Sequence, residues 1–264
     1  MTPTRRTVLM TGIAAGATTV LPFAALAEAH TSNTFETEAG TITVHPVEHA
    51  SIVMETPIGT IYVDPVGDVS NYEAFPRADL VLITHEHGDH YNVDTLNGIV
   101  TDSSQIVANP AVYDMLPDNL KAMATSMANG DTGSYDTMSI EAIPAYNTTE
   151  GRLQNHPEGR DNGYVLGLQD FRIYISGDTE DIPEMRALTD IDLAFVCNNL
   201  PYTMDMNAAA SAVNEFRPAT VYPYHYRGQD GGTQDPREFA ELVDDGIEVR
   251  IGDWYGGDVM PDAS

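Results

Sequence analysis

The chain has one cysteine, Cys197, and one lysine, Lys121. A lone thiol cannot form an internal disulfide or supply a cysteine-based metal site, so any bound metal must be held by imidazole and carboxylate groups. Cations are scarce: 12 Lys and Arg stand against 40 Asp and Glu in 264 residues, a formal net charge of −28. That balance opposes counterion-release binding to nucleic acid and docking on anionic lipid headgroups. The acids are scattered rather than gathered in a tail, which describes a solvated acidic surface of the kind suited to salt. Also missing are a fixed-period repeat, a low-complexity linker and an apolar run long enough to span a bilayer comfortably. Core-forming material, by contrast, is plentiful: 42% of residues are hydrophobic and 8% aromatic, enough to exclude disorder despite the charge.

Arg5 and Arg6 precede a weakly apolar stretch, residues 8–21, interrupted by Gly12 and Gly16. Ala25-Leu26-Ala27 then places small residues at the −3 and −1 positions of a cleavage site, with Ala27-Glu28-Ala29 as a second choice. This resembles a twin-arginine export signal. Residues 1–27 are therefore expected to engage the twin-arginine export machinery and be removed, leaving a periplasmic or extracellular protein without stable membrane insertion. An uncleaved anchor or a chance arginine pair is the alternative. Residues 28–264 are long enough for one large domain or two fused halves.

Short β-branched runs at 41–44, 51–54 and 60–63, separated by turn residues such as Pro57 and Gly59, predict a meander. Residues 79–84 form a nearly continuous apolar run, the pattern of a strand buried on both faces. Helices are predicted over 111–116 and 120–127 on either side of Pro117. Strands follow at 139–145, 164–168, 171–176, 192–197 and 220–224, with helices at 183–188, 207–216 and 235–243 and a closing strand at 247–251. This schedule predicts a layered α/β protein, a twisted β-sandwich with helices on both outer faces.

Directly after the buried strand, Thr84-His85-Glu86-His87-Gly88-Asp89-His90 packs three imidazoles and two carboxylates into one turn. Such a turn can aim His85 and His87 at one cation while Asp89 and His90 face a second, with Gly88 letting the backbone bend tightly. Neutral imidazole and carboxylate suit divalent first-row metals, zinc above all. A metal-free surface cluster is the competing reading, and it fits poorly because neutral histidines in a core each need a hydrogen-bond partner.

The HxHxDH pattern of His85, His87, Asp89 and His90 resembles the signature of the metallo-β-lactamase superfamily. Ser176-Gly177-Asp178-Thr179 is similar to that family's GD(T/S) turn, and the 222–226 segment is similar to the one carrying its last metal histidine, here His225. Residues 48–51 and 62–65 resemble the opening of the branch that includes ascorbate-6-phosphate lactonase-like and N-acyl-phosphatidylethanolamine phospholipase D-like enzymes. The resemblance covers nearly all of the mature chain. It implies a four-layer αββα sandwich and two divalent metal ions, zinc first, with manganese or iron(II) as other choices. It further implies His85, His87 and His156 around one metal, Asp89, His90 and His225 around the other, and Asp178 bridging them. One place departs from the common pattern: where many members carry their third metal histidine, residues 143–147 read Ile-Pro-Ala-Tyr-Asn. His156, nine residues beyond Asn147, can be carried back over the site by a loop; a site lacking that histidine, or one using another donor, stays open. His49 either braces the site or is a plain buried histidine.

The reaction so implied is hydrolysis, with water ionised between two cations and Asp89 orienting the nucleophile or passing a proton to the leaving group. Tyr146, Asn147, Tyr202, Tyr224, Tyr226 and Arg227 lie in or beside the expected metal loops and are candidate pocket residues, each equally readable as structural. Cys197 reads as a small buried hydrophobe. Nothing in the sequence chooses between a small ester, a lactone and a phosphodiester, although the charge disfavours polyanions. Two other classes compete: a metal-binding envelope protein without hydrolytic turnover, and a di-iron redox member of the same fold.

Overall fold

A computed structural model describes residues 33–228 and 233–256; the expected export signal lies outside them. The β-branched runs form an antiparallel meander of β1 (Thr34–Thr37), β2 (Gly40–Glu48), β3 (Ser51–Thr56) and β4 (Gly59–Val63). Parallel strands extend it: β5 (Leu80–Ile83), then α1 (Val93–Ile99), β6 (Gln105–Ala108), α2 (Pro110–Met115), α3 (Asp118–Lys121) and β7 (Ala124–Ser126). A second sheet follows as β8 (Thr132–Tyr135), β9 (Met138–Ala145), β10 (Asp161–Leu168) and β11 (Phe171–Ile175). It continues through α4 (Pro183–Arg186), β12 (Leu193–Cys197), α5 (Met206–Phe216), β13 (Thr220–Tyr224), α6 (Pro236–Leu242) and β14 (Glu248–Val249).

Although the sequence shows no repeat, both seven-stranded sheets follow one plan. In each, the first four strands pair antiparallel and the last four pair parallel, with every strand beside its sequence neighbour. Strand β4 therefore corresponds to β11, β5 to β12 and β6 to β13.

Side-chain alternation along a strand explains the layers. Leu80 and Leu82 of β5 and Ile61 and Val63 of β4 join the core shared with the second sheet. Val81, Ile83 and Tyr62 point the other way, into a separate cluster with Leu96 and Ile99 of α1, Val112 of α2 and Leu120 of α3. Ala209, Val213 and Phe216 of α5 and Phe239 of α6 belong to the main core with the second sheet. The result is the expected four-layer αββα sandwich. The sheets are also joined by hydrogen bonds: the Tyr164 hydroxyl donates to Ile83 O at 2.8 Å, and Asn162 N–H donates to Thr84 O at 3.0 Å.

The helix expected over 120–127 is corrected. Helix α3 ends at Lys121, and Ala124–Ser126 pairs parallel to β6, so the demand of the open sheet edge overrides local helix propensity. The strand expected at 247–251 shrinks to Glu248–Val249. Among the described residues no helix is long and apolar enough to cross a membrane.

Candidate metal centre

The carboxyl ends of the parallel strands, where α/β sheets build their sites, carry the candidate ligands. Strand β4 ends into Asp64, held in the left-handed region at φ 44°. Its carboxylate is fully buried and accepts from Thr84 N–H at 2.8 Å, the Thr84 hydroxyl at 2.7 Å and His90 Nδ1 at 2.8 Å. These bonds clamp the start of the 84–90 turn to its end. Gly88 is not what permits that turn: its φ is ordinary and a Cβ there would meet open space, which corrects the role expected for it. The glycine that matters is Gly177, after β11. It takes φ 60°, and a Cβ on it would sit 2.8 Å from Asn162 O and 3.1 Å from Thr84 Cβ. Only a residue without a side chain lets Asp178 approach the first sheet this closely. After β13, His225 adopts φ 50°, local strain of a kind that clusters at functional sites.

His156 comes from the long β9–β10 connection. That connection is folded onto the 178–180 turn by Glu180, which accepts from the backbone N–H of Thr148 and Thr149, each at 2.8 Å, and from Arg152 at 3.0 Å. The structure brings His156 to the other histidines: its ring lies 4.9 Å from those of His85 and His87. Donor atoms of His85, His87 and His156 form one compact group, and those of His90, Asp178 and His225 another. Asp178 faces both. Its Oδ2 lies 3.4 Å from Nε2 of His156 and of His225, while its Oδ1 lies 3.4 Å from His90 Nε2. Asp89 Oδ2 is 3.6 Å from His225 Nε2 and 3.4 Å from His49 Nε2, so Asp89 groups with His49 and His225 as well as with His85 and His90.

Supporting contacts fix which nitrogen points inward. Nδ1 of His90 donates to Asp64, Nδ1 of His156 donates to Asp161 at 2.9 Å, and Nδ1 of His85 donates at 3.0 Å to the Thr84 hydroxyl, whose own proton goes to Asp64. In each ring Nε2 is thereby the nitrogen turned toward the candidate cation position, where it would supply its electron pair to a bound metal. Buried His90 Nε2 and Asp178 Oδ1 make no hydrogen bond among the described residues. Such a pair is costly in a core unless a cation completes it, and the N/O donor set suits a divalent first-row metal.

Burial holds His85 well below the ordinary imidazole value and lowers His87 and His225 too. Burial also disfavours the charged form of His90, but the Asp178 and Asp64 carboxylates outweigh it and raise His90 to about 9. For Asp178, desolvation is overcome by the surrounding imidazoles, His225 and His90 first, which keep its carboxyl well below the usual range. Asp89 is likewise lowered despite burial, first by its hydrogen bond with His49. His49 thus braces Asp89 on one side while its Nδ1 meets the Tyr255 hydroxyl at 3.1 Å on the other.

The site opens into a cleft of about 650 Å³ walled by His49, Asp89, Asn155, Asn199, Tyr202 and Arg227 among others. The Arg227 guanidinium stacks 4.3 Å above the Tyr255 ring. Four expected pocket residues lie elsewhere. Tyr146 turns its hydroxyl to Glu184; Asn147 is buried, with its amide donating to Arg152 O and Tyr202 O; Tyr226 is buried with its ring 5.0 Å from that of Tyr255. Tyr224 is fully buried as well. Sequence reasoning assigned no role to Asp64, Thr84, Arg160, Asp161 or Asn199, whose amide nitrogen lies 3.2 Å from His225 Nε2. Asp64 did carry a signal, an acid closing an apolar strand as Asp178 does.

Residues 43–225 match the model of the beta-lactamase superfamily domain. A UPF0173 metal-dependent hydrolase of Thermococcus onnurineus is 34% identical over 179 residues, covering 66% of this chain and 78% of that protein. Among solved structures, a Parabacteroides distasonis protein assigned as a metal-dependent hydrolase superposes with TM-score 0.75 at 41% identity, covering 84% of this chain and 98% of that one. Igni18, a metallo hydrolase of Ignicoccus hospitalis, shares the fold at TM-score 0.65 and 22% identity, covering 80% of this chain and 94% of its own. With the domain matched across both sheets and these relatives covered over most of their length, the chain belongs to the metallo-β-lactamase superfamily and is one of its metal-dependent hydrolases.

Proposed function

We propose that the protein is an exported hydrolase that works with two divalent cations, zinc first, on a small ester, lactone or phosphodiester. The observation that carries this reading is the placement of Asp178 between the two sets of imidazoles: its Oδ2 lies 3.4 Å from Nε2 of His156 in one set and of His225 in the other, with Oδ1 3.4 Å from His90 Nε2. His85, His87 and His156 would hold one cation, Asp89, His90 and His225 the other, and Asp178 both. When bound, such a pair supplies a water ionised near neutral pH and polarises the electrophile.

The chain's own groups do the rest. Asp89 stands on the cleft wall with its carboxylate oxygen toward His49 and is held ionised, so it accepts a hydrogen bond from the nucleophile and then carries the proton toward the leaving oxygen. Asn199 and Tyr202 offer hydrogen-bonding groups on the wall, and Arg227 offers the cleft one positive charge for an anionic substituent. A volume of about 650 Å³ suits a small molecule rather than a polymer. Residues 1–27 serve as a twin-arginine signal that delivers the 28–264 hydrolase domain to the periplasm or the medium.

Metal analysis of the purified chain, combined with a screen of chromogenic esters, lactones and phosphodiesters, tests the reading. Two equivalents of zinc with turnover on one of these classes is expected. Two metals with no turnover on any class would favour a metal-holding envelope protein, and tightly held iron with oxygen-dependent chemistry would favour a redox member of the fold.

A further inference from the structure

His156 is the one candidate ligand not delivered by the end of a parallel strand, and the Asp161 carboxylate that holds its Nδ1 is itself gripped by an arginine. The Arg160 fork grips Asp161 with Nε on Oδ1 at 2.6 Å and Nη2 on Oδ2 at 2.9 Å, and Nη2 also donates to Asn155 O at 2.7 Å. The remaining arm, Nη1, reaches Glu86 Oε1 at 2.9 Å. Glu86 lies between His85 and His87, and fully buried Asp161 accepts the Nδ1 proton of His156. One guanidinium therefore bonds to the His85–His87 turn and to the support of His156 at the same time. A planar fork with several fixed donors can satisfy partners in three directions, which an ammonium cannot.

We propose that Arg160 is a positioning residue that clasps the His85–His87 turn to the His156 loop and so preforms the first cation's ligand set. The proposal rests on the reading of His156 as a ligand. Asp161, paired with Arg160, accepts from His156 Nδ1 and so turns Nε2 toward the cation position; Glu86 sets how far that nitrogen stands from His85 and His87. The clasp explains how a histidine on a long connection can serve where a strand end offers Tyr146 and Asn147 instead.

The test uses the full chain, stripped by chelation and titrated with zinc against a chromogenic chelator, with the cobalt(II) absorption spectrum as a second readout. In R160M one of two equivalents should weaken about 10–100-fold, the range for losing a support of a metal ligand, while the other changes little and the cobalt(II) bands of the weakened equivalent shift. R160K should recover part of the affinity. E86Q should weaken the same equivalent, and adding E86Q to R160M should cost little more, because both break one network. Wild-type affinity for both equivalents and an unshifted cobalt(II) spectrum in R160M and E86Q would overturn the clasp alone. If R160M fails to fold, E86Q decides on the same criterion. A wild-type chain that takes up no divalent metal would overturn the two-cation reading and the clasp with it.

Discussion

Replacing Asp64 by Asn removes a buried negative charge beside His90, changes one oxygen into an NH₂ group and should disturb both proposed cation sites chiefly by moving protons. The Thr84 backbone N–H can only donate, so the amide oxygen must take the place of Oδ1. The amide nitrogen then occupies the position of Oδ2, where the Thr84 hydroxyl and His90 Nδ1 both donate in the native protein. His90 Nδ1 must become an acceptor, which moves its proton to Nε2, the atom facing Asp178. The Thr84 hydroxyl, losing its acceptor, turns its proton toward His85 Nδ1 at 3.0 Å, and the His85 proton likewise moves to Nε2. A protonated nitrogen cannot ligate, so each cation loses one donor or must pay to restore it. Losing one supporting partner weakens metal binding about 10–100-fold, which is about 1.4–2.8 kcal/mol per site. Zinc titration against a chelator of graded affinity should show both equivalents of D64N weakened by such factors. If D64N binds two zinc ions as tightly as wild type, the proton assignments drawn from this hydrogen-bond chain are wrong.

Other outcomes follow from the same geometry. Metal-free protein should be most stable near pH 6.5 to 7. Burial lowers His85, His87 and His225, so folding strength falls as pH drops below about 6.5, whereas the contribution of His90 is whole below about 6.5 and is lost as pH rises through about 9. Saturating zinc should abolish the alkaline limb, and metal-free melts that stay flat from pH 6 to 9 would contradict this. Gly177→Ala should cost about 1–3 kcal/mol from backbone strain alone and lower the melting temperature, while Gly88→Ala, entering open space, should leave it within error. Arg227→Ala should raise KM about 10–100-fold for an anionic substrate, the equivalent of one charge-assisted hydrogen bond, and far less for its neutral analogue; equal effects on both would remove Arg227 from substrate recognition.

The 84–90 turn was legible because it concentrates its donors in one window directly behind an apolar run, whereas Asp178 and His225, single donors after their strands, were legible only through the resemblance of their turns to those of the superfamily. The supports were not. Asp64 meets Thr84 and His90 across 20 and 26 residues, a proximity created by β4 lying beside β5 and invisible to any local pattern. Arg160 reaches Glu86 only because β9 and β10 fold the connection back over the first sheet. Nearness in sequence did not place Tyr146, Asn147, Tyr224 or Tyr226 in the pocket, since neighbours along a chain point in different directions and only Tyr202 and Arg227 of that set face the cleft. The edge strands β1, β7 and β8 and the inner strand β6 were missed because they are short and partly polar, with their existence decided by the partner strand.

The duplicated strand plan places the cleft on the seam between two sheets, with His85, His87 and His90 contributed by one and His156, Asp178 and His225 by the other. Neither of the two proposed ligand sets is complete within either half. Cations held there would rivet distant parts of the chain together, acting as a removable staple that closes a very long loop in the manner of a covalent cross-link. For a protein with one cysteine and so no internal disulfide of its own, metal loading would then be a mechanical event as well as a chemical one, setting how firmly the two sheets are held in register at their working edge.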